Sequence, residues 1–182
     1  MSLAIDSEAG DSGTDPYEIT ANPVDLAQIS QISKFRSCAG HDFSGLSLAE
    51  DVREMNRSMK HYFAPTTAFV GSSDKVKLFA PFDGTLETYA GASEGSRGGT
   101  IRIHSNPNAP LAFEFMHTEV LSVFKVGDKV KAGDHIGYAS LGNGGHDFDI
   151  VLRGFKSAQI SGEALDSVFN HMNVIVLAAY AA

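Results

Sequence analysis

Three short stretches of this chain carry imidazoles, two of them beside carboxylates: Gly40-His41-Asp42-Phe43-Ser44-Gly45, Phe115-Met116-His117 and His146-Asp147-Phe148-Asp149. These are the side chains that move protons near neutral pH and hold divalent metal ions. His41 lies in a polar run bracketed by glycines, yet flanked by Phe35 and Leu46, as a loop or short strand at a site would be. A plainer reading makes it a histidine hydrogen-bonded beside a glycine turn. Cys38, three residues earlier, suggests a Cys/His nucleophile pair, but no third orienting group can be named for it. His61, His104, His135 and His171 read as surface or capping residues.

The elements that must position these groups are strands. Leu78 to Leu86 and Val123 to Tyr138 are each a short β-run, a turn and a second β-run, with Asp83-Gly84 and Gly127-Asp128 at the turns. Thr100-Ile101-Arg102-Ile103-His104 alternates, placing Ile101 and Ile103 inward. Leu111-Ala112-Phe113-Glu114-Phe115-Met116-His117 alternates again, and His146 to Leu152 is the last core strand. Phe79, Ile103, Phe115, Val130, Ile136 and Phe148 are the expected core. Leu48, Val52, Met55 and Met59 follow a Ser47-to-Glu50 capping box at helical spacing, which predicts a short amphipathic helix from about Ser47 to about Met59. Gly91 to Gly99 reads as a flexible loop at a groove rim.

Residues 1–20 are acidic and rich in Gly and Ser, and predict a flexible tail. Residues 21–182 then form a single β domain, closed by a helical segment from about Gly162 with Val168, Met172, Ile175 and Val176 inward. A net charge of −8 lacks the basic footprint of nucleic-acid binding. The single cysteine allows no intrachain disulfide. The longest apolar run, Val174 to Ala182, is far short of the roughly 20 residues of a membrane helix, so no transmembrane segment is expected. No signal peptide is visible.

The three stretches, with Val126-Gly127-Asp128-Lys129-Val130-Lys131-Ala132-Gly133-Asp134-His135-Ile136-Gly137 between the second and third, resemble the lysostaphin-type zinc endopeptidases, which cleave peptide cross-links of bacterial peptidoglycan. The resemblance covers roughly residues 35 to 155. It implies a mainly β fold, an antiparallel β-sandwich of duplicated-hybrid-motif type with short peripheral helices. It further implies peptidoglycan or a cell-envelope protein as partner and a periplasmic or extracellular location, with any signal sequence outside these residues. Biotinyl, lipoyl and sugar-phosphotransferase carrier domains share the glycine turn, but a carrier lysine at a hairpin tip is missing.

Carried over residue by residue, the resemblance assigns zinc ligation to His41, Asp42 and Asp147, and catalytic roles to His117 and His146. The chain also departs from the family's pattern. A His-x-x-x-Asp motif starting at His41 would need an aspartate where Gly45 stands. The family's His-x-His fits in two registers: His146 with Phe148, or Gly145 with Asp147. The second keeps Phe148, Ile150 and Leu152 on one inward face, turns Asp147 and Asp149 to the site and leaves His146 at its edge. Two altered ligand positions favour a degenerate site that binds peptidoglycan or a partner. The alternative is an active zinc endopeptidase.

Overall fold

β-Branched and aromatic residues alternating with polar ones suit a pleated sheet buried on one face, and strands dominate the chain. The structure is a computed structural model that describes residues 15, 17–47, 52–89, 98–106, 109, 111–142, 144–157 and 160–181. Its strands are β1 (Ile29–Ile32), β2 (Leu46–Ser47), β3 (Val52–Arg53), β4 (His61–Pro65), β5 (Lys77–Phe79), β6 (Gly84–Tyr89), β7 (Gly99–His104), β8 (Leu111–Val120), β9 (Lys129–Val130), β10 (His135–Ala139), β11 (Phe148–Ser157) and β12 (Ile160–Asp166). The mainly β, antiparallel architecture expected from the sequence is the one formed. Hydrogen bonds join the described strands into one branched sheet in which β12 with β2 is the parallel pair.

The branching makes the site. β8 pairs along one edge with β7. Along its other edge it pairs first with β11, over Leu111 to Met116, and then with β10, over Thr118 to Val120. The start of β11 lies between β8 and β4, so that Asp149 is flanked by Met116 and Tyr62. One apolar cluster runs through these strands and includes Phe63, Leu78, Leu86, Ile101, Ile103, Phe113, Phe115, Ile136, Phe148 and Ile150. A smaller cluster of Met59, Val151 and Leu165 marks the opposite face of β11. Of the expected core residues, Phe79 is only half-buried: Leu78 points inward, and the Phe79 ring lies 5.6 Å from that of His135.

Three other expectations are corrected. The helix from Ser47 to Met59 does not form among the described residues: Leu46–Ser47 and Val52–Arg53 are paired strands, and β12 takes Leu46 and Ser47 as a parallel neighbour. Residues 48–51 of that span lie outside the described residues. Residues 1–14 and 16 of the acidic tail also lie outside them, but Tyr17 and Ile19 are buried in the main cluster. The Ile19 N–H donates to the His171 carbonyl at 2.7 Å, and the Tyr17 hydroxyl accepts from the Leu111 N–H at 3.3 Å. Two apolar side chains among acidic neighbours are enough to anchor this stretch. The segment from Gly162 is strand first and becomes helical only over Val168–His171 (3-10) and in α1 (Val174–Ala178). Val168, Met172 and Val176 are buried as expected, whereas Ile175 is exposed. Most of the glycine loop, residues 90–97, lies outside the described residues.

His61, expected at the surface, is buried at the start of β4. Its Nδ1 lies 2.9 Å from the Ser33 carbonyl and its Nε2 lies 2.9 Å from Ser167 Oγ. Burial pushes the imidazole down to about 4, against the upward pull of the Ser33 carbonyl. The unfolded chain takes up this proton near pH 6.5 and the folded chain only near 4. Between those values the unfolded state binds more protons, so stability falls as pH drops through that window. The full effect is about 3 kcal/mol, from a shift of roughly 2.5 pH units at 1.36 kcal/mol each. His61→Gln should remove this part of the acid dependence. Urea midpoints for wild type and variant at pH 7 and pH 4.5 check it; the same pH dependence in both would mean that folding does not lower the proton affinity of His61.

Candidate functional site

Lys60 holds the candidate site together. It directly precedes β4 and is 1% exposed, a burial that lysine reaches only with partners. Its Nζ donates to Asp149 Oδ2 at 2.7 Å and lies 3.2 Å from His41 Nε2. The His41 Nδ1 lies 2.9 Å from the Asp42 carbonyl, which can only accept. Nδ1 therefore carries the hydrogen, and the Nε2 lone pair faces the ammonium. The same Nζ sits 4.7 Å from the centre of the Phe43 ring and 4.8 Å from that of Tyr62, within cation–π range of both.

Asp149 lies on the face of β11 that also carries Val151 and Arg153, opposite the main core. It is fully buried. Burial pushes its carboxyl up; the Lys60 ammonium and His117 pull the other way, and the charge of Asp147 adds to the rise. Among the described residues Asp149 Oδ1 is buried without a hydrogen-bond partner, an arrangement that costs about 1–3 kcal/mol if nothing else compensates.

His117 reaches Asp149 from β8, with Nε2 at 3.5 Å from Oδ2. Its backbone has φ +62°, in the left-handed region that a residue with a Cβ seldom adopts. The position explains it. His117 is the extra residue where β7 pairs Thr100 with Met116 but Gly99 with Thr118, and where β8 passes from β11 to β10. A bulge of this kind redirects one side chain, and strained backbone of this kind concentrates at functional sites.

The loop carrying His41 is pinned to the same place. Gly40 has φ +70°, and a Cβ on it would fall 2.1 Å from the Tyr62 hydroxyl, so only glycine fits over that ring. The Tyr62 hydroxyl accepts from the His41 N–H at 3.3 Å. The result is a pocket of about 250 Å³ lined by His41, Phe43, Thr100, Met116 and His117 together with Gly98, Gly99 and the buried Lys60. Beside it an ionic ladder crosses the strands: Glu114, also 1% exposed, accepts from Arg102 Nε at 3.0 Å and from Arg153 Nη1 at 2.8 Å, and Arg153 binds Glu163.

Of the residues singled out from the sequence, the structure gathers His41 and His117 around Lys60 and Asp149. Asp42 is exposed, its carboxylate accepting from the Ser44 hydroxyl. Asp147 is half-buried and close enough to Asp149 to act on its charge, and His146 is exposed ahead of β11. Cys38 is exposed, with Sγ 3.9 Å from Arg57 Nη1. The sequence reading passed over Lys60. Its signal is a single cation set between Met59 and a five-residue strand without acidic or further basic side chains other than His61.

Zinc is the cofactor that the sequence resemblance implies, and the donors can be tested against it. A catalytic zinc takes about three protein ligands and leaves one position open. Among the described residues no group of three or more His, Cys, Asp or Glu side chains is placed to hold a metal ion. The His41 lone pair and Asp149 Oδ2 both face Lys60 Nζ, so a cation already lies where an ion would have to bind. The residues do not fit a bound zinc.

No family model matches the chain. No curated protein matches it either. Among solved structures it is similar to Csd3 of Helicobacter pylori, in the orthorhombic crystal, with a TM-score of 0.45 and 20% sequence identity over 75% of this chain and 32% of that chain. The chain thus spans about a third of the length of the Csd3 chain.

Proposed function

We propose that this chain is a lysostaphin-like domain of a bacterial cell envelope, periplasmic or extracellular, whose groove binds peptidoglycan without cutting it. The supporting observation is the Lys60 ammonium, compensated by Asp149 and His41 in the groove where hydrolysis would require a metal-bound water. The lining of the groove includes the ring of Phe43, Thr100 and two imidazoles. These groups suit a peptide with both methyl and amide groups, such as a peptidoglycan stem. The resemblance of residues 35–155 to wall peptidases selects that peptide over others.

Cosedimentation of the purified protein with insoluble sacculi tests this reading. Wild type should be retained in the pellet, and Thr100→Arg, which fills the groove with a long cation, should lose at least tenfold in retention while keeping its fold. Equal retention of the two would place wall binding elsewhere or nowhere. Soluble cross-link peptides released by wild type would restore the enzyme.

A further inference from the structure

His61 follows Lys60 in the chain, and neighbouring residues of an extended segment face opposite ways. The Lys60 ammonium turns to the groove, and the His61 ring turns to a second pocket of about 490 Å³. Ile32, Phe35, Phe169 and Leu177 give this pocket apolar walls, and His61 and Ser167 line it with them. The His61 Nδ1 lies 2.9 Å from the Ser33 carbonyl, which can only accept, so Nδ1 carries the hydrogen and Nε2 presents a lone pair. The Ser167 hydroxyl donates to that lone pair at 2.9 Å. The rings of Phe169 and Phe35, 4.8 and 5.7 Å from the imidazole, keep it in place. Ser167 also caps the 3-10 turn Val168–His171, its Oγ accepting from the Phe169 N–H at 3.3 Å. A cap uses a lone pair of the oxygen; it gives no reason for the hydroxyl hydrogen to meet a buried imidazole. A serine on a base that a third group orients is the arrangement that activates a nucleophile.

We infer that Ser167 and His61, oriented by the Ser33 carbonyl, form a separate catalytic site that hydrolyses esters of small apolar acyl groups. Ser167 Oγ attacks the ester carbonyl carbon while its proton passes to His61 Nε2. The bond from that carbon to the alcohol oxygen breaks, and the alcohol leaves with the proton. Water then attacks the acyl group on Ser167 and gives a proton to Nε2. The acid departs as Oγ takes that proton back. Ester and water thus become acid and alcohol, and the chain returns to its starting state. The Ser33 carbonyl is a positioning group: by holding the hydrogen on Nδ1 it keeps Nε2 free to accept. The apolar walls favour an uncharged acyl chain. The inference does not depend on wall binding, and its test contains no cell wall, so either can fail alone.

The experiment treats the full chain with diisopropyl fluorophosphate and reads the labelled peptide by mass spectrometry, with p-nitrophenyl butyrate and acetate as substrates. Wild type should take up one diisopropylphosphoryl group, on Ser167. It should cleave the butyrate about tenfold faster than the acetate, because two further methylenes are buried. The labelling rate should be half-maximal near pH 4, where burial places the His61 proton, and not near the 6.5 of an ordinary histidine. The other titratable groups around the pair are Lys34 and Tyr180, which line the pocket, and Asp166, engaged by His171 Nε2 at 3.1 Å. Ser167→Ala should abolish label and turnover, and His61→Gln should slow both about a hundredfold. The labelled position and the pH profile are read on wild type, so a variant that fails to fold leaves the test intact. No label, a label on another residue, or a half-maximum near pH 6.5 would each overturn the inference.

Discussion

Asp149→Ala is expected to lower the stability of this protein by about 4 kcal/mol, because removing one member of a buried ion pair strands the other charge. Lys60 is 1% exposed, and its Nζ packs against the rings of Phe43 and Tyr62 at 4.7 and 4.8 Å. For a domain of marginal stability, such a loss approaches the whole margin. Replacing both partners with apolar residues, as in Lys60→Met/Asp149→Leu, should recover most of it, since two well-packed apolar groups leave no charge to solvate. Urea unfolding of the single and double variants gives the coupling directly. Single variants that lose less than about 1 kcal/mol, the range of an exposed pair, would mean that water reaches the pair and that it does not organise the site.

Phe115→Ala should cost about 4 kcal/mol, the range for emptying a fully buried aromatic position. Phe115 is completely buried on β8, where it pairs with Ile101 and Ile150 on neighbouring strands, and its ring centre is 4.8 Å from that of Phe113. The void would open under the strand that carries His117 two residues later. The variant should therefore show a lower urea midpoint together with faster amide exchange around Met116 to Thr118. A loss below about 1 kcal/mol would mean that neighbouring side chains collapse into the space and that the core is not close-packed there.

The fold was legible where burial follows a period. Ile101 and Ile103, Phe113 and Phe115, and Phe148 and Ile150 alternate inward as their strands require, and all six are fully or almost fully buried. It was illegible where a distant strand decides. The spacing of Leu48, Val52, Met55 and Met59 fits a helix, but β12, more than a hundred residues later in the chain, supplies backbone partners that draw Leu46 and Ser47 into the sheet. Such long-range pairing overrides local propensity. The candidate site divides in the same way. His41 and His117 announced themselves by residue type, and Asp149 by its place two residues after Asp147. Lys60 did not, because its role exists only through a partner 89 residues away in sequence and a loop folded over Tyr62. The positive φ of His117 was equally hidden, since it arises from β8 exchanging one neighbour for another.

The central claim is that the cation of this groove belongs to the protein itself. Elemental analysis of the wild-type chain, equilibrated with excess zinc and passed through gel filtration, tests it most directly. The account predicts no stoichiometric zinc, with the Lys60 ammonium still between Asp149 and His41. One zinc retained per chain would contradict it and return the site to metal-dependent hydrolysis.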